Sequence, residues 1–237
     1  LDGETTIIPR DVLCREFSQS RITKKDAVFD EKKLDWMNGQ YIKAMGASDW
    51  VVASAPWLAS AHAAGNSVRE TEIVPSLPAD ETPAHYEVSA DEASAFQSDL
   101  DARPWFYAAL YPLVAERETV LAEAEPKLQY MFWGPNVVLD EKSVNKVLRK
   151  EGARAEDALR ACREVLADEG IAWECDPLQE KCRALTEVLD MKAKLLFQPL
   201  RVAICGNMVS PPLFESIELL PREDVLARID ATLKKAF

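Results

Sequence analysis

Apolar residues return every three or four positions through most of this chain, and that spacing limits the fold more than any other feature. Leu159, Cys162, Val165 and Leu166 form one stripe, and Leu178, Cys182, Leu185, Val188 and Leu189 a second. Val225, Leu226, Ile229 and Leu233 form a third. Such spacing belongs to an α-helix that buries one face. Strict alternation of apolar and polar residues, the mark of a half-buried strand, is scarce. Upstream the pattern continues. Pro9 suits a first turn ahead of Val12, Leu13 and Phe17, and Asp30 an N-cap ahead of Leu34, Met37, Tyr41 and Ile42. Residues 48–65 read as a helix closed by Gly65-Asn66. Phe106, Leu110, Leu113 and Val114 mark another, with Pro112 as a kink. Val144, Val147 and Leu148 make a short one. The fold is therefore expected to be mainly α.

Proline and glycine divide the chain. Pro75, Pro78 and Pro83 interrupt residues 66–90, which read as a long surface connection, with order resuming at Glu92. Gly134-Pro135 makes a second break. Three regions are expected: residues 1–46, 47–135 and 136–237. No apolar run approaches the roughly 20 residues that a membrane-spanning helix needs. The chain starts at Leu1 without a signal-peptide pattern, which suggests an excised portion of something longer. Five cysteines form no CxxC pair, so small buried residues in a reducing compartment are expected rather than a disulfide framework. With only His62 and His85 to add, no metal site is expected.

Catalytic patterns are missing. There is no GxGxxG, GxxxxGKS/T, HExxH or GxSxG, so no catalytic residue is assigned. Binding is the chemistry that remains. Net charge is −12, which opposes contact with phosphates, but residues 47–135 carry −10 of it. Within the near-neutral last region, no acid falls between Met191 and Phe214, a stretch that holds Lys192, Lys194 and Arg201. Arg201 can grip a phosphate or a base edge through two N–H groups. Ser210-Pro211 reads as an N-cap and first-turn pair, leaving backbone N–H groups free at a helix start. The alternative is that Arg201 pairs with a carboxylate and Ser210 only caps. Arg21, Lys24 and Lys25 form a second acid-free patch, which a solvated loop would equally explain.

The segments FSQSRITKKDAVFDEKKLDWMNGQYIKAM and PLRVAICGNMVSPPLFESIELLPREDVLARI resemble the C-terminal part of the bacterial-type glutamyl-tRNA synthetase family. That resemblance implies a multi-helix anticodon-binding cage of two subdomains, preceded by the end of a stem-contact fold. It places Arg201 near the anticodon, and Ser210, Pro211, Pro212 and Leu213 on its first base. Arg117, in an ERVKTL-like helix, would discriminate the last base. Arg21, Lys24, Lys25, Lys192 and Lys194 would meet the tRNA backbone. The partner implied is tRNA-Glu, with no DNA and no membrane, for a cytoplasmic monomer. No cofactor is expected in this region; the family's ATP and magnesium belong to a catalytic domain whose motifs would lie before Leu1. The competing reading is an acidic helical module that binds protein. The chain departs from the family in Cys205 before Gly206, Pro221 after Leu220, and a proline-broken stretch over 66–104.

Overall fold

A computed structural model describes residues 7–21, 29–69, 76–77 and 87–237. Six helices precede Gly134 among these residues: α1 (Arg10–Glu16), α2 (Glu31–Lys43), α3 (Ala47–Arg69), α4 (Ala90–Ala102), α5 (Pro104–Val114) and α6 (Ala124–Leu128). Six follow it: α7 (Glu141–Ser143), α8 (Ala153–Ala167), α9 (Cys175–Val188), α10 (Ala193–Cys205), α11 (Leu213–Glu218) and α12 (Arg222–Ala236). From α7 the chain runs straight into a wider π-type turn over Val144–Arg149. Two short strands, β1 (Ser76–Leu77) and β2 (Leu139–Asp140), pair in parallel. The mainly α expectation holds.

Local chemistry sets several helix starts. Asp30 accepts from the Lys33 N–H at 3.0 Å and begins α2 as expected. Ser89 and Glu92 form a reciprocal capping box, so α4 starts at Ala90, two residues before Glu92. Of the expected connection over 66–90, residues 66–69 extend α3, 76–77 form β1 and 87–89 lead into α4. The rest of it lies outside the described residues.

Packing extends α3 beyond its expected end. Gly65 does not close this helix, which continues to Arg69. A Cβ at Gly65 would lie 2.4 Å from the Phe132 Cβ, so the glycine permits close approach instead of a stop. Around α3 pack α4, α5, α6 and the turn over Gln129–Phe132. In the second half α10 is central, with α8 and α12 against it and α9 bridging α8 to α11. Buried apolar side chains on both sides of Gly134 belong to one cluster, from Ile42 to Leu233. Arg228, wholly buried, links the halves: its Nε donates to the Gly134 carbonyl at 2.7 Å and its Nη1 to Ile204 at 2.9 Å.

Some stripes lie on the surface. Val188 is 77 % exposed; the face of α9 that packs on the core is Leu178 and Cys182, fully buried, with Leu185 half-buried beside them. Leu13 and Phe17, at α1, and Leu34 and Tyr41, in α2, are exposed too; only Gly39 and Ile42 of α2 are buried. Cys162, Cys182 and Cys205 are buried thiols, whereas Cys14 is exposed.

Candidate nucleic-acid interface

The polypeptide between α10 and α11 organises the site. Gly206 closes α10 with φ +79°, a left-handed conformation that glycine takes without strain. Its carbonyl accepts from the Asp140 N–H at 2.8 Å. A Cβ at Gly206 would sit 2.0 Å from the Val138 carbonyl oxygen and 3.0 Å from the Trp133 ring, so backbone meets backbone here. Beyond it, the Val209 N–H donates to Asn207 Oδ1 at 2.9 Å and the Met208 N–H to Ser143 Oγ at 3.0 Å. These bonds fix the turn that projects Val209, which is 78 % exposed.

Arg201, half-buried on α10, holds the far side of this turn. Its Nη1 donates to the Ser210 carbonyl at 3.2 Å, to Ser210 Oγ and to the Pro211 carbonyl at 2.6 Å. No carboxylate is among these partners. The structure therefore gives Arg201 a backbone-holding position that neither sequence reading anticipated. Ser210 also differs from expectation, because it is not an N-cap. The helix begins three residues later, at Leu213, with Pro212 in the capping position at ψ 131° and no side-chain cap bond. Consecutive prolines explain this: each disfavours the α conformation in the residue before it. Since α11 has only six residues, its aligned peptide dipole is short. Leu213 is buried, its side chain part of the core.

Arg117 approaches the same place from the first half. It lies in the turn that ends α5, not on a helix as the resemblance implied. The N–H groups of Arg117 and Glu118 both return to the Val114 carbonyl, at 2.8 and 3.0 Å. Glu118 then turns inward, and its Oε2 accepts from Trp50 Nε1 at 2.9 Å. The same turn leaves Arg117 exposed, with no hydrogen bond or ion pair for its guanidinium among the described residues. Lys127 Nζ stays close by, donating to the Arg117 carbonyl at 3.0 Å and pairing with Glu123.

Arg117, Ser210 and Pro211 line one cleft of ≈ 330 Å³, together with Lys127, Gln129, Trp133, Gly206 and Asn207. Pro212, Leu213 and Arg201 are not part of its wall. The volume lies at the small end of the range for small-molecule sites, about 300–1,000 Å³. Its floor is aromatic and aliphatic, from Trp133, Tyr130, Leu113 and Val138, while polar groups stand at the rim. The side chain of Gln129 has no partner among the described residues and offers both a donor and an acceptor. Asn207 keeps its amide N–H groups. A flat, hydrogen-bonding group such as a nucleobase suits such a cleft, with apolar contact below and edge contacts around it. Asp140, also in the wall, is occupied: its Oδ2 caps Ser143 N–H at 2.8 Å.

Sequence reasoning missed Gln129, Lys127, Asn207 and Trp133. Gln129 and Trp133 fall in QYMFW, an aromatic run that reads as core, and no local signal marks them as site residues. Of the other expected cations, Lys194 lines a second cleft of ≈ 350 Å³ and Lys192 takes the N-cap position of α10. Lys24, Lys25 and the side chain of Arg21 lie outside the described residues.

A family profile described as "Anticodon binding domain" matches residues 90–233, well over half of the chain. Curated relatives include a glutamate–tRNA ligase of Frankia casuarinae, 31% identical over 96% of this chain. Another is that of Cutibacterium acnes, 33% identical over 92% of it. The chain spans only 40% and 38% of their lengths. Among solved structures, a glutamate tRNA ligase from Elizabethkingia meningosepticum superposes over the whole chain and 38% of its own, with TM-score 0.69 and 18% identity. That likeness shows the fold. The profile covers α4 through most of α12 and so includes every wall of the cleft between Arg117 and the 206–211 turn: the chain belongs to the anticodon-binding domain family.

Proposed function

We propose that this chain is the tRNA-recognising part of a glutamate–tRNA ligase and that it reads the anticodon of tRNA-Glu. The observation that carries this reading is the meeting of Arg117 with the 206–211 turn in one cleft, from segments almost a hundred positions apart. Sequence-specific recognition of RNA works on bases splayed out of a loop, stacked on aromatic faces and bonded at their edges. Trp133 and Tyr130 supply the apolar floor, and Arg117, Gln129 and Asn207 the edge groups. Arg201 acts through the turn, by holding the Ser210 and Pro211 carbonyls in place. Lys192 and Lys194 position the RNA backbone, as do Arg21, Lys24 and Lys25 beside the stem. The ligase reaction, with its ATP and magnesium, is assigned to the portion of the relatives that this chain does not match. A cytoplasmic monomer suits this role.

Titration of labelled tRNA-Glu and of an unrelated tRNA into the chain at two salt concentrations tests the reading. Tighter binding of tRNA-Glu is expected, weakening modestly with salt because few cations cluster. Equal binding of the two RNAs even at low salt would overturn it.

A further inference from the structure

The cleft beyond Val209 is a separate feature from the one that holds Arg117. It is ≈ 350 Å³ and lies between the π-type turn over Val144–Arg149 and the start of α10, with Val209 common to both clefts. Its floor is Val147, Leu195, Pro199 and Met208, and its rim holds Lys146, Lys150 and Lys194. The wide turn explains the first two: the Lys150 N–H reaches back five residues to the Asn145 carbonyl at 3.1 Å, and residues four apart then face the same way. Lys194 comes from the first turn of α10, which carries no acid.

This grouping is unusual for so acidic a chain. Arg149 on the same turn is held by Glu141 and Asn145, Arg160 by Glu156 and Arg163 by Asp230. Lys146, Lys150 and Lys194 are all exposed, and none has a carboxylate partner among the described residues. Glu151 is the one acid of the rim. Three like charges around one cavity repel one another, and an anion relieves that repulsion.

The geometry points to a second nucleotide subsite, in which Lys146, Lys150 and Lys194 bind the phosphates of the nucleotide that neighbours the base read in the first cleft. The sugar and base of that nucleotide lie on Val147, Leu195 and Met208. A single strand passing over Val209 places successive nucleotides on either side of it, so one RNA loop fills both clefts. The subsite rests on the proposed RNA-reading role of the first cleft. Lysine ammonium groups act there as point charges, which position RNA without selecting its sequence.

Replacing Lys146, Lys150 and Lys194 together by alanine tests this, with the exposed pair Lys181 and Lys234 replaced in a control. Binding of tRNA-Glu is measured across a salt series. The triple variant is expected to bind about tenfold more weakly at low salt, with a salt slope smaller by about 1.4, given about 0.7 for each of the two phosphates that flank the nucleotide. The control keeps both. In the wild-type chain, bound tRNA-Glu should shield the three lysines from acetylation more than Lys181 and Lys234. An unchanged slope, or equal acetylation of all five, overturns the subsite and leaves the first cleft standing. A wild-type chain that binds tRNA-Glu no better than an unrelated tRNA overturns the reading of the first cleft, and the subsite with it.

Discussion

Glu118 sits one residue from the exposed Arg117, and the turn that presents one must bury the other. Burial pushes its carboxyl up to about 7 from an ordinary 4.5; the Trp50 N–H and nearby Lys127 pull in the opposite direction. One of its oxygens has no partner among the described residues. A carboxyl that holds its proton more firmly when folded stabilises the fold fully below its unfolded value. That stability is then lost as pH rises from about 4.5 to about 7, by up to about 3 kcal/mol. Glu118→Gln removes the titration. Between pH 5 and pH 8 its unfolding free energy should improve relative to wild type by about 2 kcal/mol in denaturant melts; parallel profiles would contradict the assignment. Single residues differ in how legible they are in sequence. A short motif singles out Arg117, which the structure places on the wall of the cleft, but no local signal marks Glu118 or Arg228. Arg228 occupies a helix whose neighbours Val225 and Ile229 are core, and an arginine there reads as solvated surface. The carbonyls of Gly134 and Ile204, both far along the chain, accept from it where it is buried. Burial lowers it to about 10, so it stays charged at neutral pH.

The 206–211 turn is the element on which the proposed recognition rests, and α10 holds it at both ends. Gly206 starts it by taking a conformation that tolerates no Cβ, and Arg201 fastens its far side. Hydrogen bonds to a charged group contribute about 1.5–3 kcal/mol each when buried, less with partial exposure. Arg201→Ala should therefore lower thermal stability by about 1–2 kcal/mol and weaken tRNA-Glu binding at the same time. Calorimetry and RNA titration on the same variant check this. Loss of binding at an unchanged melting temperature would put Arg201 on the RNA itself, as the family resemblance implied, and contradict its holding role. Of the helices in this half, α8, α9 and α12 were readable from apolar spacing, because one face of each is buried against a neighbour. Helix limits were less so. Gly65 looks like a stop until Phe132 is brought against it, and Ser210-Pro211 looks like a cap until Pro212 delays the helix. In both cases a contact or a backbone clash overrides residue preference.

At the scale of the molecule, charge and packing separate the surfaces. The excess of acid in residues 47–135 coexists with a cleft whose rim carries Arg117 and Lys127, and with three lysines beyond Val209. Charge partition along the sequence pointed to the last region, but the site needs both: one core runs from Ile42 to Leu233, and the cleft forms where its halves join. Such long-range assembly leaves no local pattern, so the cleft itself could not be read before the fold. The most direct test of its role compares wild type and Arg117→Ala in binding tRNA-Glu and single-base anticodon variants of it at fixed salt. Wild type should discriminate against at least one anticodon substitution by about 1–3 kcal/mol, roughly fivefold to 150-fold. Arg117→Ala should lose that discrimination at one position while melting at the same temperature. Equal affinity of the wild-type chain for every anticodon variant would contradict the account.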